Sequence, residues 1–121
     1  MTLQHKRSRR LCALDDIASP GSTRFELKDQ PLSNGFCVIR QSKDKGERVF
    51  GYLNACPHTG GPLDWVPGRF LNAEGDLIQC STHGALFRIE DGYCVWGPCA
   101  GASLTPVLLI RQGDGIYLEE T

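Results

Sequence analysis

Two short stretches gather the residues best able to hold metal. Cys56-Pro57-His58 opens the run Cys56-Pro57-His58-Thr59-Gly60-Gly61-Pro62-Leu63, and Cys80-Ser81-Thr82-His83 opens Cys80-Ser81-Thr82-His83-Gly84-Ala85-Leu86-Phe87, with twenty-one residues between His58 and Cys80. Each run puts one soft thiolate and one imidazole on a single tight loop, so two such loops facing each other can offer two sulfurs to one metal and two nitrogens to another. A single tetrahedral zinc is the competing reading, because two Cys and two His also make a closed zinc set. Zinc sites usually keep like ligands paired along the chain, whereas here each loop holds one of each. Gly60, Gly61 and Gly84 add backbone free of side-chain bulk, which suits N–H groups that must come close to metal-bound sulfur.

The elements that would position these loops are short strands closed by glycine turns. Phe36 to Ile39 and Arg48 to Leu53 read as a hairpin across the polar Ser42 to Gly46 turn. Leu77 to Gln79 is a short strand introduced by Glu74-Gly75, and Leu86 to Ile89 pairs with Tyr93 to Trp96 across Glu90-Asp91-Gly92. Val107 to Arg111 and Ile116 to Leu118 form a last hairpin across Gly113-Asp114-Gly115, with Pro106 marking an edge or a strand start. Helical periodicity is confined to one turn near Leu14 to Ile17, where Asp15 and Asp16 suit a first turn. The expectation is an all-β protein whose long loops, Asn54 to Asp76 and Gly97 to Ser103, carry function.

At 121 residues the chain is expected to form one domain, spanning 1–121. Lys6, Arg7, Arg9 and Arg10 supply four of its thirteen basic side chains, and the first ten residues hold no acid, so 1–10 reads as a basic, solvated tail that includes His5. The rest of the chain has five more acids than bases, an acidic body that argues against nucleic acid as a partner. Ser8-Arg9-Arg10-Leu11-Cys12-Ala13-Leu14 invites comparison with a twin-arginine export signal, but Asp15 and Asp16 interrupt the apolar run such a signal needs. With no signal and no membrane span, a cytoplasmic setting is expected. There, six cysteines point to metal binding more than to disulfides. Cys12, Cys37 and Cys94 read as small buried hydrophobes.

Taken together, the two runs match Cys-x-His-x-Gly-x-x-Leu and Cys-x-x-His-Gly-x-x-Phe at every fixed position, and in this the chain resembles Rieske-type 2Fe-2S proteins. It is most similar to the stand-alone, low-potential Rieske ferredoxins. The likeness runs from Leu14-Asp15-Asp16-Ile17 through Gly92 and Gly97-Pro98 to the closing hairpin. It implies a Rieske-like fold, an antiparallel β-sandwich-like base carrying a small cluster-binding subdomain, with cluster-binding loops at about 54–65 and 78–87. It also implies one 2Fe-2S cluster, held by Cys56 and Cys80 on one iron and His58 and His83 on the other. The Gly97-Pro98 loop would pack over the cluster, with Cys99 as a packing residue and not a ligand.

The resemblance carries a mechanism. With neutral imidazoles the cluster is uncharged when oxidised and singly negative when reduced, so an added electron meets less repulsion than in a four-cysteine cluster. The respiratory, quinol-oxidising relatives add an inter-loop disulfide and two hydroxyls bonded to sulfur. At those positions this chain has Gly61 and Thr82 for the cysteines, Ala85 for the serine and Phe87 for the tyrosine, which implies a lower potential. A mononuclear oxygenase iron needs two further histidines and a carboxylate, and only His5 lies outside the two motifs. Gly113-Asp114-Gly115 sits in a predicted hairpin and is no dinucleotide fingerprint. The chain is therefore expected to be an electron carrier and not an enzyme by itself, a component of a multi-protein system without nucleic-acid or membrane partners. The expected setting is the ferredoxin component of an aromatic-ring hydroxylating Rieske oxygenase, taking electrons from a flavin-containing reductase and passing them to a terminal oxygenase. The small subunit of an NADH-dependent nitrite reductase and a redox-sensing or assembly module are the alternatives.

Overall fold

The computed structural model describes residues 7–26, 34–43, 46–57, 60–81 and 84–120. Ten strands follow one another along them: β1 Arg7–Ala13, β2 Gly21–Phe25, β3 Phe36–Lys43, β4 Gly46–Leu53, β5 Leu77–Gln79, β6 Leu86–Arg88, β7 Cys94–Trp96, β8 Pro106–Val107, β9 Leu109–Gln112 and β10 Gly115–Glu120, with one 3-10 turn at Leu14–Asp16. They form three sheets, ordered β1-β10-β9, β2-β3-β4-β8 and β5-β6-β7, and every pairing is antiparallel. No helix of the described residues is long and apolar enough to cross a membrane.

The near-continuous apolar run Phe36-Cys37-Val38-Ile39 is explained by burial on both faces. Successive strand side chains point to opposite sides. Phe36 and Val38 join Leu14, Ile17, Ile116 and Leu118 in a core between the four-stranded sheet and β1-β10-β9. Cys37 and Ile39 join Tyr52, Ile78, Phe87 and Ile89 in a second core that runs under the cysteine loops. β3 thus fastens the sandwich-like base to the small β5-β6-β7 subdomain. Burying one such large side chain contributes roughly 1.5–3 kcal/mol, and Phe36, Phe70 and Phe87 are all fully inaccessible. Arg40 ties the 3-10 turn to β3, donating from Nη1 to the carbonyls of Leu14 at 2.9 Å and Ile17 at 2.7 Å.

The expected hairpins are present, with three differences. Arg7 to Arg10 are not tail but the first half of β1, in register with β10 so that Arg7 stands opposite Glu120 and Arg10 opposite Tyr117. Met1 to Lys6, including His5, lie outside the described residues. The single strand expected over Val107 to Arg111 is split at Leu108: Val107 pairs with Gly51 in one sheet, whereas Leu109 pairs with Leu118 in another. The chain crosses between sheets there, and the exposed Leu108 accepts a bond from Glu119 N–H at 3.0 Å. Finally, β2 has no counterpart among the expected strands. Its residues Gly21-Ser22-Thr23-Arg24-Phe25 have little strand signature of their own and are held by pairing with β3.

Candidate metal centre

Cys56 and Cys80 begin two loops with the same hydrogen-bond plan. Cys56 N–H donates to the Gly61 carbonyl at 2.8 Å and Gly60 N–H returns to the Cys56 carbonyl at 2.6 Å. Cys80 N–H donates to the Ala85 carbonyl at 2.9 Å and Gly84 N–H returns to the Cys80 carbonyl at 2.7 Å. Each loop closes through a left-handed glycine, Gly60 at φ 78° and Gly84 at φ 74°, a conformation that costs glycine little. Ser81 N–H donates to the Leu63 carbonyl at 2.9 Å and joins the loops directly.

The supports of the two loops differ in kind. Behind the first lies a polar knot around the buried Asn54. Its Nδ2 donates to Asp64 Oδ1 at 2.9 Å and its Oδ1 accepts from Leu63 N–H at 2.7 Å. Asp64 Oδ2 in turn accepts from Gly68 N–H at 3.0 Å and lies 3.6 Å from Arg24 Nη1 on β2. Behind the second loop the support is apolar: Ile78, Ala85 and Phe87 are fully buried, and Ile78 pairs with Phe87 across β5 and β6.

A third segment closes over both. Gly97 has φ 105°, and a Cβ there would lie 2.8 Å from Ala85 Cα, so only glycine lets this backbone rest on the second loop. Two residues on, Cys99 Sγ lies 3.6 Å from Cys56 Sγ of the first loop. The segment after Gly97 is pinned by Ala102 N–H to the Cys99 carbonyl and Cys94 N–H to the Ala102 carbonyl, both 2.8 Å. The Gly97-Pro98 segment thus lies against the second loop, and Cys99 is in contact with a predicted ligand sulfur.

His58 and His83 lie outside the described residues, as do Thr59 and Thr82. Among the described residues no three His, Cys, Asp or Glu side chains gather as a metal site. The two described donors fit an iron–sulfur site. Two thiols are withdrawn from solvent, Cys56 at 2% and Cys80 at 0% exposure, on twin glycine loops, and none of the six cysteines forms a disulfide. Burial pushes the Cys37 thiol up to about 12, as suits an inert core thiol. Cys94 is buried as expected, whereas Cys12 is only half-buried, at the margin of the sandwich core. Burial, with Asp16 nearby, raises its thiol as well.

The surface next to the second loop is apolar. The exposed Trp96 ring would come within 3.7 Å of a Cβ on Gly84. Sequence reasoning did not single out Asn54, Asp64, Arg24 or the Cys56–Cys99 contact. Each depends on residues brought together from 10 to 43 positions apart, and no local pattern announces them.

The model of the Rieske [2Fe-2S] domain matches residues 8–112. A search of curated proteins finds no match. Among solved structures, the ferredoxin of carbazole 1,9a-dioxygenase from Nocardioides aromaticivorans IC177 is similar at 22% identity and TM-score 0.71, over 94% of this chain and 98% of that one. A chain in the complex of reduced oxygenase and oxidised ferredoxin in carbazole 1,9a-dioxygenase is similar at 20% identity and TM-score 0.68, over 90% and 98%. A chain assigned as the NADH-dependent nitrite reductase small subunit of Mycobacterium tuberculosis is similar at 18% and TM-score 0.64, over 98% of each. At these identities the likeness is one of fold.

Proposed function

The chain belongs to the Rieske [2Fe-2S] domain family, and from that premise we propose that it is a one-electron carrier of the ferredoxin type, a single domain serving a Rieske oxygenase. The observation that carries this reading is the pair of cysteine loops with one shared hydrogen-bond plan, tied by Ser81 N–H to Leu63. In this reading Cys56 and Cys80 hold one iron and His58 and His83 the other. When bound, a cluster of this kind takes up and releases one electron.

The chain's own residues have three tasks. Gly60 and Gly84 let the backbone fold tightly around the sulfurs. Leu63, Phe70, Ile78 and Phe87 keep water from the cysteine side, each fully buried. Pro62 on the first loop and Trp96 next to the second, both exposed, offer apolar surface on which an acceptor can dock.

An oxygenase as acceptor is supported by the fold shared with a ferredoxin of carbazole 1,9a-dioxygenase, which forms a complex with its oxygenase. A flavin-containing reductase is the donor class, and the cytoplasm, where thiols stay reduced, suits six cysteines without disulfides. The nitrite reductase reading rests on a likeness over 98% of both chains and predicts a different copurifying partner.

The test is anaerobic purification followed by iron and sulfide analysis, electron paramagnetic resonance of the reduced protein and a redox titration. About two irons and two sulfides per chain and a midpoint of roughly −150 to 0 mV are expected. Stoichiometric zinc without sulfide would overturn the reading. A midpoint above about +150 mV would overturn its low-potential assignment. Pull-down partners then separate an oxygenase from a nitrite reductase.

A further inference from the structure

Cys99 lies outside the two motifs, yet its sulfur is 3.6 Å from that of Cys56, a predicted ligand. Both are nearly inaccessible, Cys99 at 4% and Cys56 at 2%. The contact is built by backbone and not by a loose side chain. Gly97 at φ 105° fits against Ala85 where any Cβ would clash, and the Cys99 carbonyl is held by Ala102 N–H at 2.8 Å. A thiol has one weak donor. Once Cys56 is bound to iron its sulfur has no proton to give, so a hydrogen bond between the two sulfurs can run in one direction only.

We infer that Cys99 is a positioning residue whose S–H donates to the Cys56 sulfur and thereby favours the reduced state of the centre. The inference rests on Cys56 being an iron ligand, as proposed above. Reduction adds one electron, makes the ligand sulfur a stronger acceptor, and neither makes nor breaks a covalent bond; the proton stays on Cys99. Because the pair is shielded from water, solvent does not replace the donor when it is removed, and a hydrogen bond to a charged acceptor is the stronger kind. The arrangement does for this chain part of what Ala85 and Phe87, lacking hydroxyls, cannot.

The experiment compares wild type, Cys99→Ala and Cys99→Ser as purified holoproteins, with Cys37→Ala as a control for loss of any buried thiol. Iron and sulfide are counted first, so that wild type lacking the cluster marks failure of the ligand assignment and not of this inference alone. In loaded protein, Cys99→Ala should move the reduced-to-oxidised equilibrium about fivefold to tenfold toward oxidised, a drop of roughly 40–60 mV. Cys99→Ser, which keeps a donor, should recover at least half of that, and Cys37→Ala should not shift. Iron–cysteine stretching frequencies of wild type should move on exchange into heavy water, and part of that shift should vanish in Cys99→Ala. An unchanged midpoint with an unchanged isotope shift overturns the inference. So does loss of the cluster in Cys99→Ala with retention in Cys56→Ser, which would make Cys99 the ligand. If Cys99→Ala alone fails to load, Cys99→Ser and the isotope shift it retains decide the matter.

Discussion

The two cysteine loops use one hydrogen-bond plan on two different foundations. The loop at Cys56 rests on the buried, mutually bonded Asn54 and Asp64, with the partly exposed Arg24 3.6 Å from the carboxylate. The loop at Cys80 rests on Ile78, Ala85 and Phe87, with Gly97 pressed against it. The plan is therefore a property of the site, and the foundation a property of the neighbourhood. Polar support fixes direction but fails sharply when a member is lost, because the remaining partners stay buried and unpaired. Apolar support is more tolerant of chemistry and less tolerant of volume.

The largest expected effect treats the loops alike. Cys56→Ser, Cys80→Ser, His58→Ala and His83→Ala should each abolish two-iron loading, while Cys37→Ser and Cys94→Ser keep it with packing losses only. Iron and sulfide analysis checks this, and loss in Cys37→Ser with retention in His83→Ala would refute the ligand set.

The next pair should split the loops. Gly97→Ala forces a positive φ and a clash with Ala85 backbone, and is expected to cost about 2–5 kcal/mol in denaturant unfolding. Asn54→Ala takes the Asn54 partner from two buried groups, Asp64 Oδ1 and Leu63 N–H, while Asp64 Oδ2 keeps Gly68 and Arg24, and should cost about 1–3 kcal/mol. Amide hydrogen exchange should then quicken at Leu63 in Asn54→Ala, and at Gly84 and Ala85 in Gly97→Ala. Equal quickening in both loops for either variant would show that the two foundations are one unit.

Smaller effects concern the potential. Ala85→Ser and Phe87→Tyr restore a hydroxyl on the second loop, and each should raise the midpoint by roughly 40 mV if about 1 kcal/mol of the new bond is differential between redox states. Phe87 is fully enclosed, so its variant must also displace neighbours and should lose stability. Redox titration of loaded protein is the check, and unchanged midpoints would place the control of potential elsewhere. The smallest effect belongs to the proposed docking surface. Pro62→Glu should leave the midpoint alone and slow electron delivery to the acceptor roughly twofold to fivefold, with a stronger dependence on salt. Equal rates would move docking away from Pro62.

Much of this was legible from the residues. Both motifs, the β3–β4 hairpin, the short β5 and the Gly92 turn are local features whose residues carry their own signal. What escaped reading lacks such a signal. β1 is rich in arginine and β2 is mostly polar, and each is a strand because a neighbour offers it a ladder. Val107 and Leu109 look like one strand until two sheets compete for them. Asn54 and Asp64 are ordinary loop residues until folding buries them 10 positions apart in one knot.

The pairing of β1 with β10 also has a consequence in time. Arg7 pairs with Glu120 across the ladder, so β1 leaves the ribosome more than 100 residues before its partner and waits some 5–20 seconds at ordinary translation speeds. An apolar strand left unpaired that long would be prone to self-association. Arg7, Arg9 and Arg10 instead keep the waiting segment charged and soluble.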